Sequence, residues 1–77
     1  MGGLISQLDV LIRNYERDYG WAKYILIGSA EAQVLSYEIA IKNGLPEEDA
    51  ILKEYDRYGA LYICRINDES FKEIVIK

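Results

Sequence analysis

Residues 21–43 read WAKYILIGSAEAQVLSYEIAIKN, and how this stretch folds decides the architecture of the chain. As one continuous helix it carries two apolar stripes. Trp21, Ile25, Gly28, Ala32, Leu35 and Ile39 share one face, while Ile27, Ala30, Val34, Tyr37 and Ile41 share roughly the opposite one. A helix apolar on two sides must be buried on two sides, either as a central helix sandwiched by others or as a helix that also forms an oligomer interface. The unbroken helix is the preferred reading. Two others stay open: Tyr24–Ile27 as a short strand ending at Gly28, or a break at Gly28-Ser29 into two helices with Ser29 as N-cap.

Upstream, Leu4, Ile5, Leu8, Leu11, Ile12, Tyr15 and Tyr19 recur at three- and four-residue spacings, with Ser6, Asp9, Arg13, Glu16 and Arg17 opposite. This predicts a one-sided amphipathic helix over 4–19 that stops at Gly20. Downstream, Asn43-Gly44 closes the central segment, and Leu45-Pro46 opens a helix expected over about 46–58. Its acidic start, Glu47-Glu48-Asp49, complements the positive end of a helix dipole, and Ile51, Leu52, Tyr55 and Tyr58 form its apolar stripe. After Gly59 come two β-rich runs, Leu61–Ile66 and Phe71–Lys77, around the polar turn Asn67–Ser70. They predict a hairpin over about 60–76 with Ile66 opposite Phe71. Alternation then puts Leu61, Ile63, Ile74 and Ile76 on one face and Tyr62, Cys64, Ile66, Phe71 and Val75 on the other. The expected fold class is α+β: a single domain of two to four helices followed by a C-terminal β-hairpin.

The chain has 77 residues, enough for one small core, yet 51% are hydrophobic and seven are tyrosines. That is more apolar surface than a monomer of this size hides easily, so burial against a partner or a second copy is expected. Tyr and Trp also dominate the energetically important positions of protein interfaces. The candidate interface residues are Trp21, Tyr24, Ile27, Val34, Tyr37, Ile41, Tyr62, Ile74 and Ile76. A net charge of −4 weighs against generic nucleic-acid or anionic-membrane binding, both of which rest on excess positive charge. The uninterrupted apolar run Tyr24–Ile27 is far short of a membrane span, and residues 1–12 lack the pattern of a secretory signal. A soluble cytoplasmic protein is the expectation.

With no histidine, any general base at neutral pH would be a perturbed carboxylate, Lys, Tyr or the one cysteine. Cys64 cannot form an internal disulfide and reads as a small buried hydrophobe between Ile63 and Arg65. Glu47, Glu48, Asp49, Glu54 and Asp56 lack the alternating spacing and turn glycine of a calcium loop, and no Gly-Lys-Ser/Thr phosphate loop occurs at Gly2-Gly3, Gly28-Ser29 or elsewhere. No catalytic residue, metal ligand or cofactor is expected.

The run Tyr37–Ala50, with Ala40, Gly44 and Leu45 at the turn and then Gly59 and the 61–76 strands, resembles winged helix-turn-helix domains over roughly residues 24–77. That resemblance implies a recognition helix followed by a two-stranded wing, with Lys53, Arg57 and Arg65 as candidate DNA contacts. The helix it would use begins Pro46-Glu47-Glu48-Asp49, whose carboxylates phosphate would repel. The leading expectation is therefore a non-enzymatic, self-associating protein-interaction module, such as a mobile-element or phage accessory or inhibitor. A winged-helix transcriptional regulator is one alternative. An acidic DNA mimic using Glu47, Glu48, Asp49, Asp56, Asp68 and Glu69 is another.

Overall fold

The computed structural model describes residues 3–77; Met1 and Gly2, the first half of the Gly2-Gly3 pair, lie outside the described residues. Helix α1 spans Leu4–Tyr19, as its single apolar stripe predicts, and Gly20 ends it at φ 90°, where a side chain would be strained.

The next element is a strand. β1 spans Tyr24–Gly28, and helix α2 follows directly over Ser29–Lys42, so the unbroken helix expected over 21–43 does not form. Ile25 and Ile27 are both fully buried. Two residues apart, they would lie on opposite sides of a helix but share one side of a strand. Burying each contributes about 1.5–3 kcal/mol. Helix propensities differ by at most about 0.7 kcal/mol per ordinary residue, so packing decides the conformation. The two-sided pattern of 21–43 is thus a strand joined to a one-sided helix: α2 buries Ala32, Leu35, Ser36, Ile39 and Ala40 and exposes Val34 and Ile41. The N-cap position belongs to Gly28 rather than Ser29, whose hydroxyl instead donates to the Ile66 carbonyl at 3.3 Å.

The helix expected over 46–58 is cut to α3, Glu47–Ala50, of which only Ala50 is buried. Extending it would present Ile51 and Leu52 to no packing partner, and both are largely exposed. The chain is drawn off instead by the buried hydroxyl of Ser36, which accepts from the Tyr55 N–H at 3.1 Å. It then enters β2, Arg57–Tyr58, and turns at Gly59 into β3, Leu61–Ile66.

β4, Val75–Ile76, completes a four-stranded sheet ordered β2-β3-β1-β4. The hairpin expected over 60–76, with Ile66 opposite Phe71, is not made, because β1 lies between its two arms. β1 pairs in parallel with β3, Leu26 beside Cys64, and antiparallel with β4, Leu26 beside Val75. This central position satisfies the backbone of β1 on both edges, which an isolated two-stranded hairpin could not do. The short β2 pairs antiparallel with β3. The fold is α+β, with three helices and a mixed sheet. One core fills the space between α1, α2 and the sheet, where Leu8, Ala32, Leu35 and Ile39 meet Ile25, Ile27, Leu61 and Ile63.

Candidate functional site: the open face of the sheet

Side chains alternate across a strand, so with Ile25 and Ile27 of β1 and Leu61 and Ile63 of β3 in the core, their neighbours point the other way. Tyr24 and Leu26 of β1, Tyr62, Cys64 and Ile66 of β3 and Val75 of β4 share a face that neither α1 nor α2 covers. Register stacks them in rows: Tyr24 beside Tyr62, then Val75, Leu26 and Cys64.

The aromatic row is ordered. The Tyr24 and Tyr62 ring centres stand 6.1 Å apart at an interplanar angle of 30°, and the two residues are 45% and 46% exposed. From β2, the Arg57 guanidinium lies 4.3 Å from the centre of the Tyr62 ring and donates to its hydroxyl at 2.5 Å. A cation over an aromatic face is held by the ring quadrupole at an exposed site.

The charges flanking this face differ between its ends. Where β1 and β3 begin stand Lys23, Arg57 and Lys77, the last exchanging backbone hydrogen bonds with Tyr24. Where those strands end, the turn after β3 carries Asp68 and Glu69, with Lys72 following, whereas Glu31 and Glu73 lie on the side of the sheet that the helices cover, beside Leu4, Gln7 and Leu11. The hydroxyl of Ser70 and then its backbone N–H, both donating to Asp68, hold that carboxyl below its usual range, so it stays ionised.

A crevice also opens at the end of β1 and β3, lined by Gly28, Ser29, Glu31, Asn67, Asp68 and Phe71. Ligands bind at this position in many sheets with parallel strands. Here Glu31 occupies it: a Cβ on Gly28 would stand 2.6 Å from the Glu31 carboxylate. Among the described residues no group of three or more Cys, Asp and Glu is placed to hold a metal ion, and no buried side-chain N or O lacks a hydrogen-bond partner.

Compared with known proteins, the chain matches no family model, no curated protein and no solved structure. Its own geometry therefore carries the functional reading.

That geometry splits the candidate residues read from the sequence. Tyr24 and Tyr62 come together on the open face. Ile27 is wholly in the core and is corrected from interface to interior, while Ile74 and Ile76 pack half-buried against that core. Trp21 is 86% exposed on the loop before β1, and Val34, Tyr37 and Ile41 belong to α2, away from the open face. Lys53 is exposed on the loop after α3. Arg57 and Arg65 do not form one cationic patch, because they sit at register positions on opposite faces of the sheet. Arg65 is engaged structurally: its Nη2 donates to the Tyr55 carbonyl at 2.7 Å and its Nη1 to Asp56 at 3.2 Å, with Glu54 at 3.5 Å. Leu26 and Cys64, at the centre of the open face, are not among the sequence candidates, although the alternation Tyr24, Leu26, Gly28 marks that face once the strand is recognised.

Among the described residues no helix is long and apolar enough to cross a membrane.

Proposed function

We propose that this protein is a non-enzymatic interaction module that associates with itself through the open face of its sheet. The observation that carries this reading is the row of Cys64, Leu26 and Val75, apolar side chains at the centre of a sheet whose helices pack on one side only. The sheet's central pairing, β1 with β3, is parallel, and all-parallel sheets are covered on both faces. The tyrosines beside that row are the residue type that anchors protein interfaces, since they bury a large ring at little entropic cost and keep a hydroxyl at the rim. The reading as a non-enzyme rests on composition: there is no histidine to serve as a general base or to activate the single cysteine.

Cys64 supplies a direct test because it lies within the proposed contact. Its alkylation by iodoacetamide should slow as protein concentration rises and recover on dilution, with the circular dichroism spectrum unchanged. A rate independent of concentration up to the solubility limit would refute self-association through this face.

A further inference from the structure

We propose that two copies cover each other's open face with their strands antiparallel, so that the Arg57 end of each sheet lies over the Asp68-Glu69 end of the other. This inference rests on self-association through the open face and adds the orientation. Lys23, Arg57 and Lys77 mark the start of β1 and β3, and Asp68 and Glu69, on the turn after β3, mark their finish, with Lys72 following. When two such faces stack about a two-fold axis in the plane between them, the limiting directions of the axis are along and across the strands. With the axis along the strands, cations meet cations and carboxylates meet carboxylates. With the axis across the strands, each cationic end meets an acidic end twice over, and the row Cys64, Leu26 and Val75 faces its own symmetry mate.

The size of the face makes these end charges decisive. The four strands hold 15 residues in all, which at about 4.8 Å by about 3.3 Å each give on the order of 240 Å² in projection. A standard interface removes about 800 Å² of accessible surface per partner. Contact across so small a face is weak, and each copy carries a net charge of −4 that opposes approach, so a stack that paired like ends would not persist.

The test uses two single variants and their mixture, followed by sedimentation equilibrium at low salt. Arg57→Glu and Glu69→Lys each place like charges over one another at both symmetry-related ends. Each should weaken the dimer about tenfold, the scale of reversing two exposed charge pairs. An equimolar mixture of the two variants should regain wild-type affinity as a heterodimer, because the carboxylate introduced at position 57 of one copy then faces the ammonium introduced at position 69 of the other. Tighter association of Arg57→Glu, or a mixture no tighter than its components, would overturn the antiparallel arrangement. Leu26→Lys separates this inference from the reading beneath it. If Leu26→Lys abolishes a dimer that the charge variants leave intact, the orientation alone is wrong. If a wild-type dimer survives Leu26→Lys, the open face is not the contact, and the inference falls with it.

Discussion

The hydroxyl of Tyr58 donates a 2.5 Å hydrogen bond to the carboxylate of Asp9, tying the edge strand β2 to α1 across 49 residues of chain. Burial, then the hydrogen bond to Asp9 and its charge, push the Tyr58 phenol up from 10.0 to about 12. Arg13 and Glu16 line the same hollow. A raised folded-state value means that the native protein holds this proton more tightly than the unfolded chain does. The stabilisation is fully present below pH 10 and is lost as pH rises through about 12. Thermal melts of wild type and Tyr58→Phe should therefore differ most at neutral pH and converge through that window. Asp9→Asn should bring the tyrosinate absorbance transition of Tyr58 back towards its ordinary value. A constant gap between the two melting curves across the window would show that the hydroxyl contributes no linked stability.

Helix α1 is capped from outside itself. Its N-cap residue, Gly3, offers no side chain, and the Glu38 carboxylate of α2 accepts instead from the N–H groups of Leu4 and Ile5, both at 3.1 Å. Glu38→Ala leaves these two donors without a protein partner and should cost about 1–2 kcal/mol. In a domain of this size that is roughly 4–15 °C of melting temperature. Glu38→Gln keeps one acceptor and should lose less. Calorimetry of the two variants checks the order, and equal losses would remove the capping role.

The chain between α3 and β2 hangs on two side chains. Ser36, fully buried in α2, accepts from the Tyr55 N–H, and Arg65 of β3 donates to the Tyr55 carbonyl, so both backbone groups of one residue are held by distant side chains. Ser36→Ala leaves the part-buried Tyr55 N–H without its acceptor and should cost about 1–3 kcal/mol in urea unfolding. Arg65→Lys should be nearly as damaging as Arg65→Ala, because an ammonium cannot reproduce the guanidinium fork that reaches Tyr55, Asp56 and Glu54 together. Full stability in Arg65→Lys would mean that charge alone is what the loop requires.

Local periodicity made α1 legible from Leu4 to Tyr19, because its stripe and its glycine stop lie within one segment. The α+β class and the partition of Tyr62, Cys64 and Val75 from Leu61, Ile63 and Ile76 were equally readable, since alternation does not depend on which strands pair. Pairing was not readable. Placing β1 between β3 and β4 joins residues about 38 and about 50 positions apart, and no local pattern distinguishes that from a hairpin between the last two runs. The same non-locality hid Glu38, Ser36 and Asp9, each an ordinary polar residue of a helix until its partner arrives from another element. The shortening of the third helix has this origin too: Tyr55 and Tyr58 fit a helical stripe, but Ser36, Arg65 and Asp9 draw them into a loop and an edge strand.

Sedimentation velocity on wild type and Leu26→Lys distinguishes a contact surface from a folding core at the face bearing Tyr24, Leu26, Tyr62 and Cys64. Leu26 points away from Leu35 and Ile39, so the lysine should leave the circular dichroism spectrum and the thermal melt close to wild type while converting a concentration-dependent dimer into a monomer. Leu35→Lys, at a fully buried position, should unfold the chain and serves as the control. A Leu26→Lys protein that sediments as wild type does, or that unfolds as Leu35→Lys does, would contradict the account.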